Sequence, residues 1–135
     1  MSHQISGEFT VKLSPQPLKG SEGETTLGLM TIDKQFSGDM VGSSWGHMLS
    51  ARGKQGGAGY VAQERLEVRL AGREGGFVLQ HSGFMSPEGQ SLDISVVPGS
   101  GTEELLGISG TMTLRIDNGR HFYTFEYSLP NEAEA

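Results

Sequence analysis

Glu64 is the residue in this sequence best placed to do chemistry. It lies in the run Gly59–Gly83, GYVAQERLEVRLAGREGGFVLQHSG. Tyr60, Ala62, Glu64, Leu66, Val68 and Leu70 hold the even positions of its first half, and Val61, Gln63, Arg65, Glu67 and Arg69 the odd ones. Strand side chains alternate between two faces, so the even set is expected inside and the odd set in water. Glu64 is then a single carboxyl among apolar neighbours. Burial of that kind raises a carboxyl pKa and makes a candidate general acid or base, or an anchor for a ligand's polar group. The plainer alternative is that Glu64 pairs with an inward Arg, His or Tyr and only fixes strand register, because buried charges are rare unless paired.

Other candidates gather around it. Trp45 and His47 share one face of a preceding strand, and His81 shares a face with Phe77 and Leu79 in the next. If those faces point inward, a histidine beside the carboxylate can move protons near neutral pH. His47, Glu64 and His81 are also the ingredients of a metal site. They come from three separate strands with no diagnostic spacing, so neither metal nor cofactor is expected. Tyr60 and Tyr123 offer hydroxyls to a ligand, although such tyrosines more often place only the ring inside. Gly42-Ser43-Ser44-Trp45-Gly46 matches G-x-S-x-G with Ser44 as the nucleophile, but that motif requires a strand–turn–helix on a parallel sheet. Gly99-Ser100-Gly101-Thr102 offers backbone N–H groups to an anion, yet lacks the lysine and helix of a phosphate loop. A turn closing over one end of the fold suits it better.

The elements that must position these residues are strands. Ile5, Gly7, Phe9, Val11 and Leu13 alternate with polar residues, and Ser14-Pro15-Gln16-Pro17 is expected to end that strand. A second strand spans 25–36, with Met30 and Ile32 on one face. The third spans 40–51, with Trp45, His47 and Leu49 on one face and Gly42, Ser44 and Gly46 on the other. The opening run makes the fourth and fifth, joined by the glycine-rich turn at 71–76. Leu92, Ile94 and Val96 are expected inward on a sixth, and Ile108, Gly110, Met112, Leu114 and Ile116 give a seventh. Thr102 is expected to cap one helical turn over 102–106. Asn118-Gly119 signals a hairpin into the eighth, where Tyr123, Phe125 and Tyr127 share a face. Residues 130–135 read as an acidic tail.

The fold expected is therefore all-β, a closed eight-stranded antiparallel meander barrel in a single domain with its core over residues 4–129. Closure buries one face and removes the sheet edges, and eight strands enclose room for side chains or one small ligand. A two-sheet sandwich is the competing architecture. The 21 glycines, about twice the usual share, suit a sharply bent sheet.

The runs Phe77–Gly83 and Val96–Thr102, together with Phe36-Ser37-Gly38-Asp39 and Glu64-Arg65, carry a resemblance. Over roughly Gly7 to Leu129 the chain resembles a bacterial domain-of-unknown-function family of small β-barrels. That family's fold is similar to plant allene oxide cyclase, and Gly107–Gly110 also looks like a segment of those enzymes. The resemblance implies a barrel and no agreed activity, and the cyclase catalytic constellation is not present residue for residue. One departure is Glu103, where the family usually carries glycine.

Composition limits the partners. A net charge of −6 and no basic stripe argue against nucleic acid. There is no cysteine, and no apolar run long enough to span a membrane as a helix. The N-terminus lacks a basic region followed by an apolar run, so the default expectation is a cytoplasmic protein. Three functions are open. A small, largely apolar molecule binds inside, contacting Trp45, Tyr60, Glu64, His81 or Tyr123. Or an isomerase or cyclase uses Glu64 as acid or base, assisted by His47 or His81. Or the interior is filled and the protein works through a homo-oligomer or partner surface.

Overall fold

A computed structural model describes residues 2–20, 23 and 25–130; the acidic-tail segment beyond Pro130 lies outside the described residues. The strands are β1 (Ser2–Gln16), β2 (Thr26–Gly38), β3 (Met40–Arg52), β4 (Ala58–Leu70), β5 (Arg73–Ser86), β6 (Gly89–Val96), β7 (Ser109–Asp117) and β8 (Arg120–Ser128). Each pairs antiparallel with the next, and β8 returns to β1 with Ser2 opposite Ser128 and Phe9 opposite His121. The expected closed eight-stranded barrel is what forms. No helix among the described residues is long and apolar enough to cross a membrane.

β1 ends at Gln16, inside the expected Ser14–Pro17 segment. It pairs on through Pro15, opposite Met30, to Gln16, opposite Leu29. The φ that proline imposes is compatible with extended backbone, so its missing N–H costs one bond without ending the strand. The turn between β4 and β5 is tighter than expected. It occupies Ala71-Gly72, both at positive φ, and the ladder resumes with Leu70 opposite Arg73.

The two ends of the barrel differ. At one end the interior is packed solid. Phe77 stacks on Phe125 at 5.5 Å between ring centroids, and Phe125 on Tyr127 at 5.4 Å. Met40, Leu70 and Leu105 are fully buried beside them. A short 3₁₀ turn, Glu103–Leu105, lies across this end. Gly75 and Gly101 allow that close approach, since a Cβ on either would run into the backbone oxygen of Thr102 or Leu105 respectively. Thr102 does not cap the turn; its Oγ1 accepts the Gly76 N–H at 2.9 Å instead. Ser100 Oγ likewise accepts the Val78 N–H at 3.0 Å. The Gly-Ser-Gly-Thr segment is thus tied to β5, and the N–H groups of Ser100 and Thr102 are spent on Val97 and Gly76 carbonyls rather than free for an anion.

At the other end, residues in phase with the core are left uncovered. Leu13, Met85, Leu92 and Ile116 all point with the inward set yet are 46%, 54%, 45% and 69% exposed. Met30, Met48, Tyr60 and Leu114 are half-buried. Leu92 was expected inward and is in phase, but it and Ile116 lie toward the uncovered end. One joint in the wall is thin, because β6 and β7 share only Ser95 opposite Thr111 in register.

Candidate functional site

Between the packed and open halves the lumen holds a charged cluster. Glu64 is fully buried, and Lys34 and His81 are nearly so. Lys34 Nζ donates to Glu64 Oε1 at 3.0 Å, and His81 Nε2 meets the same oxygen at 2.7 Å. Ser44 Oγ donates to Oε2 at 2.6 Å. His81 Nδ1 contacts the Tyr60 hydroxyl at 3.2 Å, which extends the chain toward the open end. Lys34 Nζ also lies 4.8 Å from the Phe9 ring centroid, so its remaining charge faces an aromatic surface.

Strand register builds this cluster. Lys34 stands opposite Ser44 across β2–β3, Gly46 opposite Glu64 across β3–β4, and Ala62 opposite His81 across β4–β5. Each polar residue is therefore one step along the wall from the next. Two glycines make the room. A Cβ on Gly46 would lie 2.7 Å from Glu64 Cα, and one on Gly83 would lie 2.8 Å from the Tyr60 ring. The G-x-S-x-G run serves this packing: Ser44 is a hydrogen-bond donor to a carboxylate, on a strand followed by another strand and not by a helix.

The electrostatics reverse the expectation for Glu64. Burial is the largest influence and pushes its pKa up, but His81, Lys34 and Ser44 together outweigh it and hold the carboxyl at about 2. Glu64 is a paired, ionised carboxylate and not a raised acid. Burial, with help from the Glu64 charge, raises the Tyr60 phenol, which stays protonated. No buried side-chain nitrogen or oxygen among the described residues lacks a partner.

Two expected lumen residues face the wrong way. Trp45 is 56% exposed and His47 exposed, both on the outer wall, because β3 turns its small face inward. His47 lines a shallow external groove with Leu49, Val61 and Gln80. The His47–Glu64–His81 cluster does not form, and no group of three metal-ligating side chains exists among the described residues. Tyr123 is inside but committed elsewhere: its hydroxyl accepts the Met40 N–H at 2.9 Å and donates to Ser37 O at 2.9 Å. Lys34 escaped the sequence reading. The signal was present, since it is in phase with Ile32 and Phe36 on the buried face of β2.

Fold and cluster together define a small one-ended β-cup with an apolar interior crossed by a buried ion pair. The chain belongs to the DUF3224 family, described as a protein of unknown function, whose model matches residues 5–127. It is similar to the crystal structure of a DUF3224-family protein with unknown function from Shewanella oneidensis MR-1. That likeness has 43% identity and a TM-score of 0.91, covering 96% of this chain and 98% of the other. No curated protein matches the chain.

Proposed function

We propose that this protein is a binding module that takes a small, largely apolar molecule into the open half of its barrel. The observation that carries this reading is the set of inward-phase apolar residues left uncovered at one end, directly above a polar floor. Met30, Met48 and Leu114 form half-buried walls, and Tyr60 reaches down to His81. Apolar walls with a few placed polar groups are the usual make-up of a small-molecule site. The closed half is filled by side chains, so the ligand occupies only the upper lumen. An isomerase or cyclase using Glu64 has less support. A carboxylate held at about 2 and already hydrogen-bonded by three side chains is a poor proton carrier near neutrality. The outward residues Gln63, Arg65, Glu67 and Arg69 are polar where a lipid-facing barrel is apolar, which favours a cytoplasmic protein without membrane contact.

The test is methyl NMR of the purified protein titrated with medium-chain amphiphiles. Shifts at Met30, Met48 and Leu114 support the reading; shifts confined to outer-wall residues, or none, overturn it. A second reading, self-association, rests on the outer cross-strand row Leu29, Leu49 and Val61, of which Leu49 and Val61 are 43% and 52% exposed. Light scattering across a concentration series decides that one.

A further inference from the structure

Resting on the binding reading above, the cluster's proton positions restrict what the bound molecule must carry. We infer that the Tyr60 hydroxyl presents a lone pair, not a proton, to the upper lumen, so the ligand's polar end is a hydrogen-bond donor such as an alcohol.

Glu64 is ionised and accepts on both oxygens. Lys34 can only donate, so the pair already holds one positive and one negative charge. Lys34 already balances the Glu64 charge, so a neutral imidazole leaves the enclosed cluster with no net charge. A neutral imidazole carries one N–H. It lies on Nε2, because the Glu64 oxygen at 2.7 Å can only accept. Nδ1 is then an acceptor, and the Tyr60 oxygen 3.2 Å away must donate its single proton to it. The phenol has nothing left to give. Its free lone pairs are all that a molecule entering from the open end meets at this atom. Gly83, opposite Tyr60, keeps the ring seated in this position.

A ketone, an ether or a carboxylate has only acceptors to offer there and would set lone pair against lone pair. An alcohol on the same carbon skeleton completes the bond. Sites built around a buried polar group discriminate strongly on this point, since the mismatched ligand leaves that group unpaired.

Two experiments test the inference separately from the binding reading. The first needs no ligand: ¹⁵N NMR of the histidine ring nitrogens at about pH 8, above the ordinary histidine range. His81 is expected as the neutral Nε2–H form, and an Nδ1–H form or a doubly protonated ring overturns the inference. The second is calorimetry at the same pH with three amphiphiles of one chain length: primary alcohol, methyl ether and methyl ketone. The alcohol is expected to bind at least about tenfold more tightly than the other two, a difference near 1.4 kcal/mol. Tyr60→Phe should erase that preference. If the ketone binds as well as the alcohol, or the preference survives in Tyr60→Phe, the inference fails and the binding reading stands. If none of the three binds, the binding reading itself fails.

Discussion

Gly46 faces Glu64 across the β3–β4 ladder so closely that a methyl group on it would lie 2.7 Å from Glu64 Cα and collide with the Gln63 carbonyl. The site's central charge thus depends on a residue with no side chain. Gly46→Ala is expected to destabilise the barrel by about 1–3 kcal/mol, the usual cost of forcing extra volume into a packed interior. Urea unfolding measures it, and an unchanged midpoint would show that the wall yields without strain.

Lys34→Met removes the cation and leaves Glu64 buried with reduced compensation. A loss of about 3–5 kcal/mol is expected. Adding Glu64→Gln removes the stranded charge while keeping an acceptor for His81 and an amide that Ser44 can accept. The double variant should therefore lie closer to wild type than Lys34→Met alone. A double variant weaker by the sum of both single effects would mean the two residues are not coupled.

Glu64 also makes stability depend on pH. Its pKa in the folded protein is about 2, below the ordinary 4.5, so its contribution is complete above about 4.5 and is lost as pH falls through about 2. The difference in unfolding free energy between wild type and Glu64→Gln should shrink by roughly 3 kcal/mol over that window. Denaturant titrations at a series of acidic pH values report this. A difference that stays flat or widens on acidification contradicts the ion-pair account.

Tyr123→Phe leaves the Met40 N–H without its acceptor in a fully buried position. An orphaned buried donor costs about 1–3 kcal/mol, and thermal unfolding should record it. Gly7 provides the space for that hydroxyl, since a Cβ there would lie 2.5 Å from the Tyr123 oxygen.

Glu103 sits at φ 54°, in the left-handed region, at the head of the 3₁₀ turn. Glycine adopts that conformation without the steric cost a side chain adds. Glu103→Gly is expected to stabilise by roughly 0.5–1 kcal/mol, after allowing for the extra freedom of the unfolded chain. A lower melting temperature in that variant would mean the glutamate makes a compensating interaction.

Much of this was legible in the residues. Period-two alternation located all eight strands and assigned the faces of β4 and β6 correctly, because each has one plainly apolar side. β3 was legible only as two faces. Its large residues, Trp45 and Leu49, suggested an inward side, but closing a barrel around Glu64 calls for the small side, Gly42, Ser44 and Gly46. Register with the neighbouring strand decides that, and register is not written in either strand alone. Lys34 went unread for a related reason: a lysine is assumed wet until its partner is located, and the partner lies on a different strand 30 residues away.

The thin joint between β6 and β7 gives the molecule a built-in place to yield. With Ser95 and Thr111 as their one registered pair, these strands have the fewest backbone bonds to break before the cylinder splits lengthwise. Amide exchange should be fastest along that flank, and a cylinder that gives way there parts as a lengthwise slit with the other hairpins still paired.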